Sequence, residues 1–179
     1  MKTLTLLRHA KSSWDDATSR DFDRPLNARG RRAAEAVGRA MRAESLSFDA
    51  VIASPAVRVV ETIDGVATGF GAALAPRYDR RIYLASTAAL LDLVHEADDD
   101  HASLMIVGHN PGMESLALLL SQPGAHRSEI EVKFPTGTLA ELRFPVRRWL
   151  EVDRGGGTIA RFIRPRDLDP ALGPEPDGW

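Results

Sequence analysis

The chain has 179 residues, 44% of them hydrophobic and 27% charged, a balance that suits one soluble globular domain and excludes wholesale disorder. It contains no cysteine, which excludes disulfide frameworks, thiol nucleophiles and thiolate metal sites and fits a reducing cytoplasm. A formal charge of -2 gives no ground for broad nucleic-acid binding, so any positive field has to be local.

The first apolar run, at 4–7, meets Asp15 and Asp16 too soon to form a secretory signal, and no stretch approaches the roughly 18 uninterrupted apolar residues of a membrane span. A cytoplasmic chain with no membrane or nucleic-acid partner is expected. This run and those at 50–53 and 104–107 lack alternation and read as parallel strands buried on both faces. Helical patterns lie between them. From Asn27, a suitable N-cap, to about Glu44, the residues Ala33, Ala34, Val37, Ala40 and Met41 form one stripe. Arg31, Arg32, Glu35, Arg39 and Arg42 face elsewhere, toward solvent. A second helix is predicted to open with Ser54 as N-cap and Pro55 at its first position, and to end near the glycines at 69 and 71. A third, over 86–97, turns Leu90, Leu91, Val94 and Ala97 inward before Asp98-Asp99-Asp100, which reads as a solvated turn. The fourth starts at Asn110-Pro111 and runs through Met113, Leu116, Ala117 and Leu120 to Gln122-Pro123-Gly124. Segments 138–144 and 158–163 alternate and read as strands with one polar face, at or near the sheet edge, joined across Gly155-Gly156-Gly157. Prolines at 165, 170, 174 and 176 mark an irregular tail. Strand-helix alternation with right-handed crossovers gives a layered α/β sandwich, with no internal repeat and no linker long enough to divide the chain into separate domains.

Two of the strands run straight into a histidine, at Arg8-His9 and at Gly108-His109. Ligands of open α/β sheets sit beyond the carboxyl ends of the strands, so these histidines can meet. Ser54-Pro55-Ala56-Val57-Arg58 follows another strand and opens a helix whose free amides favour an anion. A cation such as Arg58 gains nothing from that end of the helix dipole; a bound anion would explain it, and Glu61 is the alternative partner. Gly108 would admit another backbone or a ligand, and Pro111 starts a further helix at the same rim. Taken singly these motifs have plainer readings: a solvated strand end, an ion-paired arginine, a core histidine. Together, two arginines, two histidines and two helix starts describe a pocket for a tetrahedral dianion. Neighbouring cations push an imidazole below its usual pKa near 6.5, which leaves His9 neutral and nucleophilic. His95, His101 and His126 show no zinc-type spacing and read as surface residues.

The motifs Leu6-Leu7-Arg8-His9-Ala10-Lys11-Ser12, Asp23-Arg24-Pro25-Leu26-Asn27 leading to Gly30, Ser54-Pro55-Ala56-Val57-Arg58 leading to Glu61-Thr62, and Gly108-His109-Asn110-Pro111 resemble the histidine phosphatase superfamily. The resemblance is to its small bacterial phosphohistidine phosphatase branch, the SixA type, and covers most of 1–165. It implies a three-layer α/β/α sandwich with a mostly parallel sheet, phosphoglycerate mutase-like, over 1–165, and a proline-rich tail over 166–179. It further implies His9 as the phosphorylated nucleophile, Arg8 and Arg58 as phosphate clamps, His109 as a further phosphate contact and Arg24 as an additional clamp. No metal or other cofactor is implied. Ala10 and Lys11 stand where many relatives have glycine and glutamate, and Asp15 lies near a position where relatives carry asparagine. The glutamate that many relatives use as proton donor has no evident counterpart; Asp15, Asp16 and Asp21 are the candidates. An imidazole leaving group needs such an acid far less than an alkoxide does, which favours P–N substrates. The expected reaction is hydrolysis of phosphohistidine on a protein, for example a phosphotransfer domain in signal transduction. Alternatives are a phosphatase of small phosphomonoesters, a sugar-phosphate mutase, for which the chain is too compact to carry the usual lid, and a phosphate-recognition module without catalysis. A nucleotide-binding fold is disfavoured because Arg-His replaces the Gly-rich turn.

Overall fold

Six strands form one sheet: β1 (Lys2–Arg8), β2 (Ala50–Ala53), β3 (Arg77–Tyr78), β4 (Ser103–Gly108), β5 (Leu139–Phe144) and β6 (Thr158–Ile163). Their order in space is β3-β2-β4-β1-β5-β6, in a computed structural model that describes residues 1–174. The first four strands run parallel, and β5 and β6 are antiparallel additions on the β1 side. The three continuous apolar runs are adjacent in the sheet, where β4 lies between β2 and β1. Only such central strands need apolar side chains on both faces.

Side chains alternate between two cores. Leu4, Leu6, Ile52, Leu104 and Ile106 pack with α3 (Thr87–His95), α4 (Gly112–Leu120) and α5 (Ala125–Val132). Leu7, Val51, Ala53, Met105 and Val107 pack with α1 (Ala28–Ala43) and α2 (Val57–Phe70). The expected α/β/α sandwich follows from this alternation. Asn27 caps α1 by accepting from the Gly30 amide, and α2 ends at Gly71 with φ +81°, both as predicted. The two helices lie so close that a Cβ at Gly38 would stand 2.1 Å from the Val66 carbonyl oxygen.

Several local expectations are corrected. α2 starts at Val57 with Ala56 as N-cap, so Pro55 is not its first residue; Ser54 still accepts from the Ala56 amide at 3.3 Å. α4 likewise begins at Gly112, after Pro111. In α3 the buried residues are Leu90, Leu93 and Val94, with Leu91 and Ala97 only partly covered. β6 forms the edge and β5 lies next to it, as expected, but β5 lacks the expected polar face, since only Arg143 is exposed. The segment after Gly124, given no element from the sequence, is the helix α5 and carries His126. The proline-rich end is not irregular through 172: Pro165–Leu168 form the short helix α6 and Pro170–Leu172 a 3₁₀ turn, both against α1. Positions 175–179 of the expected tail, Pro176 among them, lie outside the described residues. No helix among the described residues is long and apolar enough to cross a membrane.

Candidate active site

Strand register brings the two histidines together. Arg8 of β1 stands opposite Gly108 of β4, and the next residues, His9 and His109, both leave the sheet at that rim. The His9 amide donates to the Gly108 carbonyl at 3.0 Å, and one strand over the Ser54 amide donates to the Val107 carbonyl at 3.1 Å. Three strand ends are thereby tied side by side. Gly137, with φ +73°, donates its amide to the carbonyls of Arg8 and His9 and holds the turn before β5 against them. Only glycine occupies that backbone region without strain.

The His9 and His109 ring centroids are 5.3 Å apart, and both residues are buried, 7% and 4% exposed. His9 Nδ1 donates to the Ala10 carbonyl at 2.7 Å. A carbonyl only accepts, so the proton is on Nδ1 and Nε2 is the unprotonated nitrogen. Arg58 Nε donates to that Nε2 at 3.4 Å. Burial, with the charges of Arg58 and Arg8 beside it, holds the His9 pKa down at about 3. His109 is the opposite tautomer: its Nδ1 accepts from Arg58 Nη2 at 3.3 Å, so Nε2 carries the proton and donates to Ser54 Oγ at 2.8 Å. Burial and then Arg58 hold its pKa at about 4. Both rings are neutral at pH 7.

Arg58, 3% exposed, is paired with Asp21 rather than Glu61. Its Nη1 donates to the Asp21 carbonyl at 2.6 Å and its Nη2 to Asp21 Oδ2 at 3.1 Å. Glu61 accepts instead from the Leu26 amide at 3.3 Å. Arg24 joins the same cluster: its Nε donates to Asp21 Oδ1 at 3.2 Å, its Nη1 donates to Ser12 Oγ at 2.8 Å, and Trp14 lies over its guanidinium. Arg8 donates from Nη1 to the Phe134 carbonyl at 2.9 Å, while its buried Nε has no partner. His9, Arg58 and His109 therefore meet at one rim, Arg24 joins them through Asp21, and Arg8 lies near enough for its charge to act on both histidines.

Of the three carboxyl candidates, Asp21 alone touches this cluster. Asp16 is exposed and held by the Thr18 and Ser19 hydroxyls, and the Asp15 amide donates to Ser13 Oγ. Burial raises the Asp21 pKa, but the Tyr83 hydroxyl at 2.5 Å and Arg58 outweigh it and hold it at about 2. In the free protein Asp21 is therefore ionised, and its carboxylate occupies the guanidinium groups of Arg58 and Arg24. Three contributions were not read from the sequence. Tyr83 reaches Asp21 and packs edge-on to His109 at 5.4 Å. Ser54, read only as a cap, also fixes the His109 tautomer. Thr62 accepts from the Ala10 amide at 3.0 Å and donates to the Arg58 carbonyl at 2.6 Å, locking α2 to the loop after β1. Gly108 makes room for the Ile82 and Met113 side chains rather than for backbone or ligand.

The remaining histidines stand apart: His95 is bonded to the Val152 carbonyl and His126 to Glu129. Among the described residues no group of three or more His, Asp or Glu side chains could hold a metal ion. Asp98 and Asp99 instead accept backbone amides of Asp100 and Trp149.

Residues 4–82 match the family model of the histidine phosphatase superfamily, branch 1. An uncharacterised Mycobacterium tuberculosis protein, Rv1276c, is 35% identical over 164 residues, which cover 89% of this chain and 100% of that protein. A candidate phosphohistidine phosphatase SixA from Nakamurella multipartitia superposes with a TM-score of 0.80 at 27% identity, over 92% of this chain and 96% of that one. Its counterpart from Agrobacterium tumefaciens gives 0.75, also at 27% identity, over 91% and 97%.

Proposed function

The chain belongs to the histidine phosphatase superfamily and is of its SixA type, and we propose that it is a phosphatase that hydrolyses phosphohistidine on a protein through a phosphorylated His9. The observation that carries this reading is the His9 ring, with its Nδ1 proton engaged by Ala10 and its unprotonated Nε2 held only by a long hydrogen bond from Arg58. In the first step the Nε2 lone pair attacks phosphorus in line as the P–N bond of the substrate breaks. A substrate ring already protonated on its other nitrogen departs as neutral imidazole. Arg8, Arg24 and Arg58 donate to the equatorial oxygens throughout. The arriving dianion also favours the charged form of His109, which then donates to phosphate instead of accepting from Arg58. In the second step water attacks phosphorus and the P–Nε2 bond of His9 breaks. Both water protons leave on the dihydrogen phosphate formed, and His9 returns to its starting tautomer. No step calls for a metal or another cofactor.

In the free protein Asp21 is ionised and engaged by Arg24, Arg58 and Tyr83, which supports a P–N substrate over an ester, because an alkoxide leaving group depends on a proton donor. Hydrolysis of a phosphohistidine peptide compared with that of simple phosphomonoesters tests the reading. The peptide is expected to be preferred by at least about a hundredfold in kcat/KM, the usual scale of a missing general acid. A preference for esters would overturn it.

A further inference from the structure

A cavity of about 190 Å³ adjoins Arg8, walled by the residue after Ala10, the start of α1, the segment before β5 and the C-terminal stretch that folds back over α1. Its cations are Arg8, Lys11, Arg29, Lys133, Arg164 and Arg166, and no carboxylate lines it among the described residues. These side chains feel one another: burial lowers the Lys11 pKa, and Arg29, Arg8 and Lys133 lower it further. Arg164 is neutralised by Asp167 at 2.8 Å and Glu129 at 3.5 Å. Arg29 donates to the Gly173 carbonyl at 3.0 Å, which draws the C-terminal stretch onto the cavity. Lys11, Lys133 and Arg166 stand in no ion pair among the described residues, and the buried Nε of Arg8 has no acceptor.

Gathering like charges opposes folding unless an anion compensates them. In a chain with a formal charge of -2, a cationic cavity sharing Arg8 with the phosphoryl site is a local field aimed at substrate. The wall between the cations is apolar, made by Pro135, Pro165, Leu172 and Pro174. A compact second phosphate calls for forked guanidinium groups converging on one point. Cations spread over separate segments around an apolar wall fit a carboxylate on a hydrocarbon stem.

We propose that this cavity is a substrate subsite that takes the acidic side chains flanking the phosphohistidine of a polypeptide. The inference rests on the phosphohistidine reading above and extends it to which proteins are selected. The test uses two phosphohistidine peptides that differ only in Glu or Gln at the flanking positions, with the full chain and with the Lys133→Gln, Arg166→Gln double variant. Wild type is expected to favour the acidic peptide by roughly threefold to tenfold in kcat/KM, as partly exposed charge pairs provide. In the double variant that ratio is expected to fall to about one. Equal rates on both peptides in wild type, or an unchanged ratio in the variant, would overturn the subsite. A variant-sensitive preference for a small bisphosphorylated ester over the acidic peptide would overturn it in favour of a second phosphate. Free phosphohistidine, given to wild type alone, separates the two failures: if it is not hydrolysed, the phosphatase reading itself falls.

Discussion

At the scale of single residues the site is a set of tautomers fixed by their partners. His9 keeps Nε2 free because Ala10 takes the other proton, and His109 presents Nδ1 because Ser54 takes its Nε2 proton. With His9 at about 3 and His109 at about 4, neither ring gains a proton between pH 7 and pH 5. Imidazole nitrogen NMR is expected to show both resonances unmoved across that range; a midpoint near 6.5 for either would contradict the burial argument. Asp21 gives a second test. Its carboxylate holds the guanidinium groups of Arg58 and Arg24, which the proposed reaction assigns to phosphate. In Asp21→Asn, inorganic phosphate is expected to inhibit at roughly threefold to tenfold lower concentration, the scale of a partly exposed ion pair. Phosphohistidine turnover should not fall by the hundredfold or more that loss of a general acid brings. A fall of that size would make Asp21 the proton donor.

At the scale of elements, the β1–β4 register and the close packing of α1 on α2 place the groups. Gly38→Ala would drive a Cβ into the Val66 carbonyl, so the helices must move apart; a loss of about 3 kcal/mol is expected in urea unfolding. A loss under 0.5 kcal/mol would show that the interface yields freely. Much of this was legible in the sequence. Uninterrupted apolar runs marked three of the four inner strands, and Asn27 and Gly71 marked helix ends through the hydrogen bond and the positive φ they show. What escaped was short or tertiary. β3 has two residues, and α5 buries only Ile130, so neither carries a periodic signal. Pro55 favours a helix start locally, yet the Ser54 hydroxyl is bound to His109 and the helix begins two residues later. The site was legible because strand ends are fixed points of an α/β fold. Tyr83 was not, since its link to Asp21 spans 62 positions with no pattern between.

At the scale of the whole molecule, the buried neutral rings tie stability to pH. In the unfolded chain His9 and His109 take up protons as pH falls through about 6.5, whereas the folded chain resists until about 3 and 4. The unfolded state then binds more protons, so stability is full above pH 6.5 and declines as the pH is lowered toward those values. Asp21 adds to the loss from about 3.8 down to about 2. Urea midpoints are expected to fall steadily from pH 7 to pH 5 at constant slope, and an unchanged midpoint would contradict the linkage. The same arrangement of buried rings and arginines is what a phosphoryl group has to enter, and its passage through His9 is the central claim. The most direct test is rapid acid-free quenching after mixing the chain with a phosphohistidine peptide carrying labelled phosphate. The expected result is label on the chain, stable to alkali, lost in acid, mapped to Nε2 of His9 and absent in His9→Ala. Label on another residue, or turnover by His9→Ala at the wild-type rate, would contradict it.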